Sequence, residues 1–127
     1  MKEDKILLIK DRYYSLKHLF TGERGSFLTE EEVKILKSNK ENKLMSLVFY
    51  LSPGDYHRFH SPFDFTIQKS IYIPGHLKRV DKSTLTKILN VYENNEWVTL
   101  MGKSPVGVVY MSIVGAYNVG SIKLTFD

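Results

Sequence analysis

The sequence predicts an α+β domain, β-rich, built mostly of antiparallel strands with two or three short helices, and incomplete. Three observations carry that expectation. Tyr and Phe dominate an aromatic share of 13%, and aromatic side chains favour the half-buried face of a strand. Apolar stretches of strand length recur between Pro-Gly breaks. Helix caps precede only short segments. The chain also stops at Asp127 directly after a strand-like stretch, with no tail.

Taken in order, Ser15 followed by LKHLF and Thr21-Gly22 predicts a short helix with serine as N-cap and glycine as terminator. Thr29-Glu30-Glu31-Glu32 ahead of VKILK is a capping box and predicts a second helix over about Thr29–Lys37. Ser38–Lys43 is a polar loop. The apolar run Leu44–Leu51 (LMSLVFYL) has the length and continuity of a strand buried on both faces, and Pro53-Gly54 breaks it. Thr66–Ile73 alternates loosely and ends at the turn pair Pro74-Gly75. Ser83–Leu89 predicts a short helix capped by Ser83. Glu96–Met101 predicts a strand with Trp97 as its core anchor. Val106–Phe126 is strand-like throughout. Ile122, Leu124 and Phe126 share one side and Lys123 and Thr125 the other. Gly115 and Gly120 mark a bulge or tight bend.

Composition narrows the function classes. Hydrophobic residues make up 43% and charged residues 25%, a balance that argues against disorder. No stretch reaches the roughly 18 apolar residues of a membrane span, and Met1–Lys10 is charged, unlike a signal peptide. Cysteine is absent, which excludes disulfides and thiolate metal sites. The net charge of +4 comes mainly from lysines spread along the chain. It leans mildly towards anionic partners such as lipid headgroups or nucleic acid. Aromatics interleaved with Arg and Gly, the signature of RNA binding, are not visible, and nucleic acid is not the expected partner.

Histidine is the side chain best suited to moving protons near neutral pH. His57 and His60 sit three apart in LSPGDYHRFHSP, Leu51–Pro62, just past the apolar run and the Pro-Gly break, and loops at strand ends are where reactive groups usually lie. A metal site completed by His76 or Asp55 is one reading of the pair. However, helical metal pairs use i, i+4 spacing, and Pro53 and Pro62 bracket this segment against a helix. No metal is therefore expected.

LSPGDYHRFHSP resembles the signature of the phosphatidylserine decarboxylases, a serine or alanine and a proline before Asp-Tyr-His, with a second His three residues on. Further blocks follow in family order. Glu3–Leu7 and then Tyr14-Ser15-Leu16 resemble the family's run into its first small helix, and Ile71–Gly75 then Leu77 its Tyr-x-Pro-Gly-x-Leu turn. Asn94–Val98 (NNEWV) is similar to Asn-Glu-Arg-Val, and Ile113–Ile122 (IVGAYNVGSI) to Val-Gly-Ala-x-x-Val-Gly-Ser-Ile. The resemblance covers residues 1–127 as a single partial domain of the β-chain core, with an insertion at about 22–43.

The resemblance implies a pyruvoyl enzyme that converts phosphatidylserine to phosphatidylethanolamine and CO2. The proenzyme cuts itself at a Gly-Ser bond, and the serine becomes a covalent pyruvoyl group that accepts electrons as CO2 leaves. By the same resemblance, His57 aligns with the histidine of proton transfer in decarboxylation. His60 aligns with the base of an Asp-His-Ser triad that activates the serine for self-cleavage. An extended segment points i and i+3 to opposite sides, which suits separate tasks.

The triad aspartate belongs to an Asp-Gly motif that the family places before the block starting here at Glu3. Asp4 and Asp11 lack the following glycine. The pyruvoyl-forming serine is expected in a Gly-Ser-Ser or Gly-Ser-Thr sequence beyond Ile122, outside this chain. Val119-Gly120-Ser121 is a decoy, because the family carries Val-Gly-Ser-Ile as scaffold. Asp64-Phe65 replaces the usual Asp-Gly or Asn-Gly, removing the residue that tolerates positive φ from an expected hairpin turn. His76 and Lys78-Arg79 stand where the family usually has acidic and uncharged residues. The chain alone is therefore expected to be inactive. Its expected partners are phosphatidylserine, a membrane surface with which the parent associates peripherally, the α-chain and N-terminal segment that complete the parent, and a second copy in a homodimer. The alternatives are a non-catalytic anionic-lipid-binding module of the same fold and a small metal-dependent hydrolase using the histidine pair.

Overall fold

A computed structural model describes residues 7–9, 12–14, 38–39, 41–43, 45–88 and 91–126. The chain divides into two compact units, Met1–Tyr56 and His57–Asp127. In the first, β1 (Leu7–Ile9) and β2 (Arg12–Tyr14) pair antiparallel, Leu7 opposite Tyr14 and Ile9 opposite Arg12. These two strands have no counterpart in the sequence expectation. The helices expected after Ser15 and over Thr29–Lys37 lie outside the described residues.

The apolar run departs from its expectation. Met45–Leu51 has no strand assignment and is exposed, with Met45 at 86%, Leu47 at 80% and Phe49 at 82%. A strand buried on both faces needs neighbours on two edges and two faces, whereas Met45–Leu51 is exposed along its length.

The second unit carries a three-stranded antiparallel sheet in the order β3 (Thr66–Ile73), β4 (Trp97–Ser104), β5 (Gly107–Val114). With the short helices below, it gives a β-rich, antiparallel domain. The strand over Thr66–Ile73 matches the expected bounds. The double-sided burial expected of Leu44–Leu51 belongs instead to β4, whose Trp97, Val98, Thr99 and Leu100 are all buried. As the central strand, β4 is also paired along both edges. Trp97 is the expected anchor, 3% exposed, and shares the core with Ile73, Leu85, Val91, Val98 and Leu100. Thr99 is fully buried, yet its hydroxyl is hydrogen-bonded to that of Ser112 on β5 at 2.7 Å, which offsets its loss of water.

Register slips once between β3 and β4. Ile67 faces Gly102 and Lys69 faces Met101, so Gln68 is the extra residue of a bulge. Gly102 is needed there because a Cβ would overlap the Thr66 carbonyl and come within 2.8 Å of the Phe65 ring. Gly102→Ala is therefore expected to destabilise the sheet by about 1–3 kcal/mol, as overpacking does. A lowered urea midpoint with unchanged slope would show it, and an unchanged midpoint would contradict this account of the glycine.

The β4–β5 hairpin closes with Ser104 facing Gly107. The Ser104 hydroxyl accepts from the Val106 amide and donates to the Gly107 carbonyl. Two short helices are described, α1 (Lys82–Lys87) and α2 (Val91–Asn94). The expected helix at Ser83 is present, but its cap is Asp81. The Asp81 carboxylate accepts from the Thr84 amide at 3.0 Å and from its hydroxyl at 2.9 Å. A carboxylate two residues earlier outcompetes the serine because it satisfies two donors at once. Those two bonds, with the Arg79 charge as a lesser cause, hold the Asp81 carboxyl below the ordinary aspartate range. Leu89, the expected end of this helix, lies outside the described residues.

Past β5 the strand-like expectation fails in part. Val114 ends the strand, and Ala116 and Val119 bridge a tight turn in which Asn118 takes a φ of 64°. Residues 120–126 form no strand, though Ile122 and Leu124 remain half-buried between the exposed Lys123 and Thr125. Phe126, expected on the side of Ile122 and Leu124, is exposed at 59%.

Candidate functional site

The signature segment begins with a turn locked at both ends. The Asp55 amide donates to the Ser52 carbonyl at 2.8 Å, and the Ser52 amide donates to the Asp55 carboxylate at 2.6 Å. Pro53 fits this turn by its fixed φ, and Gly54 has open space around it. The aspartate of the Asp-Tyr-His block thus has a structural task in holding the turn.

From His57 the chain runs without helix or strand to Phe65 and then enters β3. His57 and His60 are both exposed, with Phe59 half-buried between them. Ser61 donates through its hydroxyl to the Phe63 carbonyl, and the Phe63 and Phe65 rings meet edge to face at 6.2 Å. These local contacts shape the run into β3 without a positive φ at Asp64 or Phe65. Among the described residues no three His, Asp or Glu side chains are grouped to hold a metal ion.

Three of the sequence blocks converge at Asn95–Glu96. The Tyr-x-Pro-Gly-x-Leu turn arrives as His76, whose amide donates to the Asn94 carbonyl and whose carbonyl accepts from the Glu96 amide. Asn95 is fully buried. Its side-chain oxygen accepts from the Lys78 amide at 3.0 Å, and its amide group donates to the carbonyls of Lys78 and Gly115 at 2.8 and 2.9 Å. A side-chain amide can mimic a peptide group in this way, pairing with backbone where a sheet would use another strand. Gly75 permits the approach, since a Cβ there would overlap the backbone of Asn95.

Glu96, 6% exposed, holds the third block. Its carboxylate accepts from the amides of Ser121 at 3.1 Å and Ile122 at 3.2 Å, and its carbonyl accepts from Gly115. Ser121 sits at a φ of 55°, a conformation uncommon for a non-glycine residue, and the carboxylate secures it. Val119-Gly120-Ser121 is thus built into a scaffold turn. The residues that sequence reading missed are Asn95, Glu96 and Thr99, polar groups whose burial no hydropathy pattern signals. Only the Asn94–Val98 block pointed to Asn95 and Glu96, and only the expected strand over Glu96–Met101 took in Thr99.

Two exposed imidazoles on an irregular segment suit acid–base chemistry. A sequence profile described as phosphatidylserine decarboxylase matches residues 1–127. The mitochondrial phosphatidylserine decarboxylase proenzyme 1 of Schizosaccharomyces pombe is 33% identical over 147 residues, covering 100% of this chain and 34% of that protein. The phosphatidylserine decarboxylase proenzyme of Campylobacter jejuni is 41% identical over 91 residues, 72% of this chain and 34% of that protein. The mitochondrial proenzyme of Rattus norvegicus is 41% identical over 92 residues, 72% of this chain and 23% of that protein. This chain belongs to the phosphatidylserine decarboxylase family. It spans about a third or less of the length of these relatives.

Proposed function

We propose that this chain is the β-chain region of a phosphatidylserine decarboxylase, the scaffold part of a carboxy-lyase that converts phosphatidylserine to phosphatidylethanolamine and CO2. The observation that carries the proposal is the family match over all 127 residues with both signature histidines retained on an exposed segment. The substrate follows from the names of the relatives, which are phosphatidylserine decarboxylase proenzymes.

A proenzyme becomes active by processing, and in this reading the pyruvoyl-forming serine lies outside the chain. Ser121 does not fit that role, because its amide is held by the Glu96 carboxylate within a scaffold turn. The donor chemistry of His57 and His60 does fit, since each imidazole can both take and give a proton. When bound, a pyruvoyl group supplies an electron sink for loss of CO2. His60 is the base that takes the proton of the attacking serine during self-cleavage. His57 gives the proton to the substrate carbon once CO2 has left. The aspartate that orients His60 comes from outside the chain, as do the α-chain and N-terminal segment that complete the enzyme. The parent acts at a membrane surface as a peripheral protein. Among the described residues no helix is long and apolar enough to cross a bilayer.

The chain alone is expected to release no CO2 from phosphatidylserine and to keep its intact mass on incubation. Evolved CO2 and mass spectrometry together make the test. Decarboxylation, or a cut between Gly120 and Ser121, would overturn the assignment of the serine to a segment outside this chain.

A further inference from the structure

At the end of β4 opposite the Asn95 hub, the run into β3 and the β4–β5 hairpin form an open cleft of about 430 Å³. It is lined by Asp64, Phe65, Thr66, Lys103, Ser104 and Pro105, and neither signature histidine is among them. Two charges of opposite sign thus line one cleft without meeting. Among the described residues, the Asp64 carboxylate and the Lys103 ammonium are engaged in no ion pair or hydrogen bond. Thr66 stands opposite Lys103 across the β3–β4 ladder, which puts a hydroxyl beside the lysine side chain. The Ser104 hydroxyl, in contrast, is spent on closing the hairpin. The Phe65 ring lies on Gly102, within 2.8 Å of where a Cβ would stand, and meets Phe63 edge to face. Phe65 replaces the glycine usual in the phosphatidylserine decarboxylase pattern, so this aromatic wall belongs to the present chain and not to that pattern.

We propose that this cleft binds a small zwitterion, a primary ammonium and an anionic oxygen group joined by a short linker. Asp64 and the Phe65 ring take the ammonium, and Lys103 with the Thr66 hydroxyl takes the anion. Opposite charges held apart on the walls of one cleft complement a molecule that carries both. An aromatic face adds attraction for the cationic end, and a lysine ammonium beside a hydroxyl offers several donors to the anionic end. A ligand with a single charge uses one side of the cleft only, so the zwitterion is selected. The ammonium-and-phosphodiester headgroup of a lipid and a free amino acid share this chemistry. The inference goes beyond the decarboxylase reading and is independent of it, since neither His57 nor His60 takes part.

The test is an NMR amide-shift titration of the 127-residue chain at low salt with four probes. Glycerophosphoethanolamine represents the lipid headgroup and serine the free amino acid. Ethanolamine carries the cation alone and inorganic phosphate the anion alone. The zwitterions are expected to shift residues 64–66 and 103–105 and to bind about fivefold or more tightly than either single-charge probe, the upper end for one exposed charge pair. Asp64 and Lys103 are exposed, so their exchange leaves the fold in place. Asp64→Asn and Lys103→Gln should each weaken zwitterion binding about fivefold, and Phe65→Leu about threefold through loss of the cation–ring contact. Lys123→Gln, an equal charge change at an exposed position outside the cleft, should leave binding unchanged. Tighter binding of glycerophosphoethanolamine assigns the site to a lipid headgroup and tighter binding of serine to a free amino acid, and either bears the proposal out. Single-charge probes that bind as tightly as the zwitterions would overturn it. So would shifts centred on His57 and His60, an equal loss from Lys123→Gln, or no shift with any probe.

Discussion

Full-length parent protein carrying His60→Ala is expected to remain a single uncut chain. Self-cleavage begins with a serine hydroxyl, a weak nucleophile until a base takes its proton, and a positioned general base contributes about 10²- to 10⁴-fold. Loss of that factor turns a completed processing event into one that stalls. His57→Ala should instead be cut like the parent while decarboxylating about 10²- to 10⁴-fold more slowly, because the proton step at the substrate carbon comes later. Gel analysis of processing and CO2 release from each variant separate the two roles. If His57→Ala stayed uncut while His60→Ala matured and failed only in decarboxylation, the assignments would be reversed.

Asn95→Leu should have the largest effect on the fold. Leucine has the same branched skeleton of four side-chain heavy atoms, so no cavity opens. The substitution instead strands the Lys78 amide and the carbonyls of Lys78 and Gly115, which now bond to the Asn95 side chain. Buried groups left unsatisfied cost about 1–3 kcal/mol each, and partial access of water to Lys78 lowers the sum to roughly 3–5 kcal/mol. That is a large share of the stability of a small domain. Urea unfolding reads the change as a midpoint shift, and a shift no larger than that of an ordinary surface substitution would mean that the hub does not hold these segments.

The second unit was legible where hydrophobic pattern and position agreed. Thr66–Ile73 alternates and stops at Pro74-Gly75, and the structure places β3 over those residues. Trp97 was the obvious anchor and is 3% exposed. Continuous hydrophobicity misled at Leu44–Leu51, because burial on two faces depends on neighbours that a run of apolar residues does not name. The strand with the continuous buried run, β4, contains Thr99 and Gly102, residues that lower any hydropathy score. The histidine pair stands out only through its block, since an H-x-x-H spacing alone fits several chemistries, and its role rests on the proposal above. Asn95 and Glu96 were visible as part of a block but not as its structural centre. Their role arises from backbone groups of residues 76–78, 115 and 121–122, partners that sequence separation conceals. Asp81 replaced Ser83 as helix cap through a choice among local polar residues that only geometry decides.

The most direct test of the central claim is to incubate the full-length parent with carboxyl-labelled phosphatidylserine in mixed micelles and follow labelled CO2 and intact mass together. The account predicts two chains in place of one, with the cut falling beyond Ile122, and CO2 released in step with phosphatidylethanolamine. A parent that stays in one piece and releases no CO2, with both histidines intact, would contradict it.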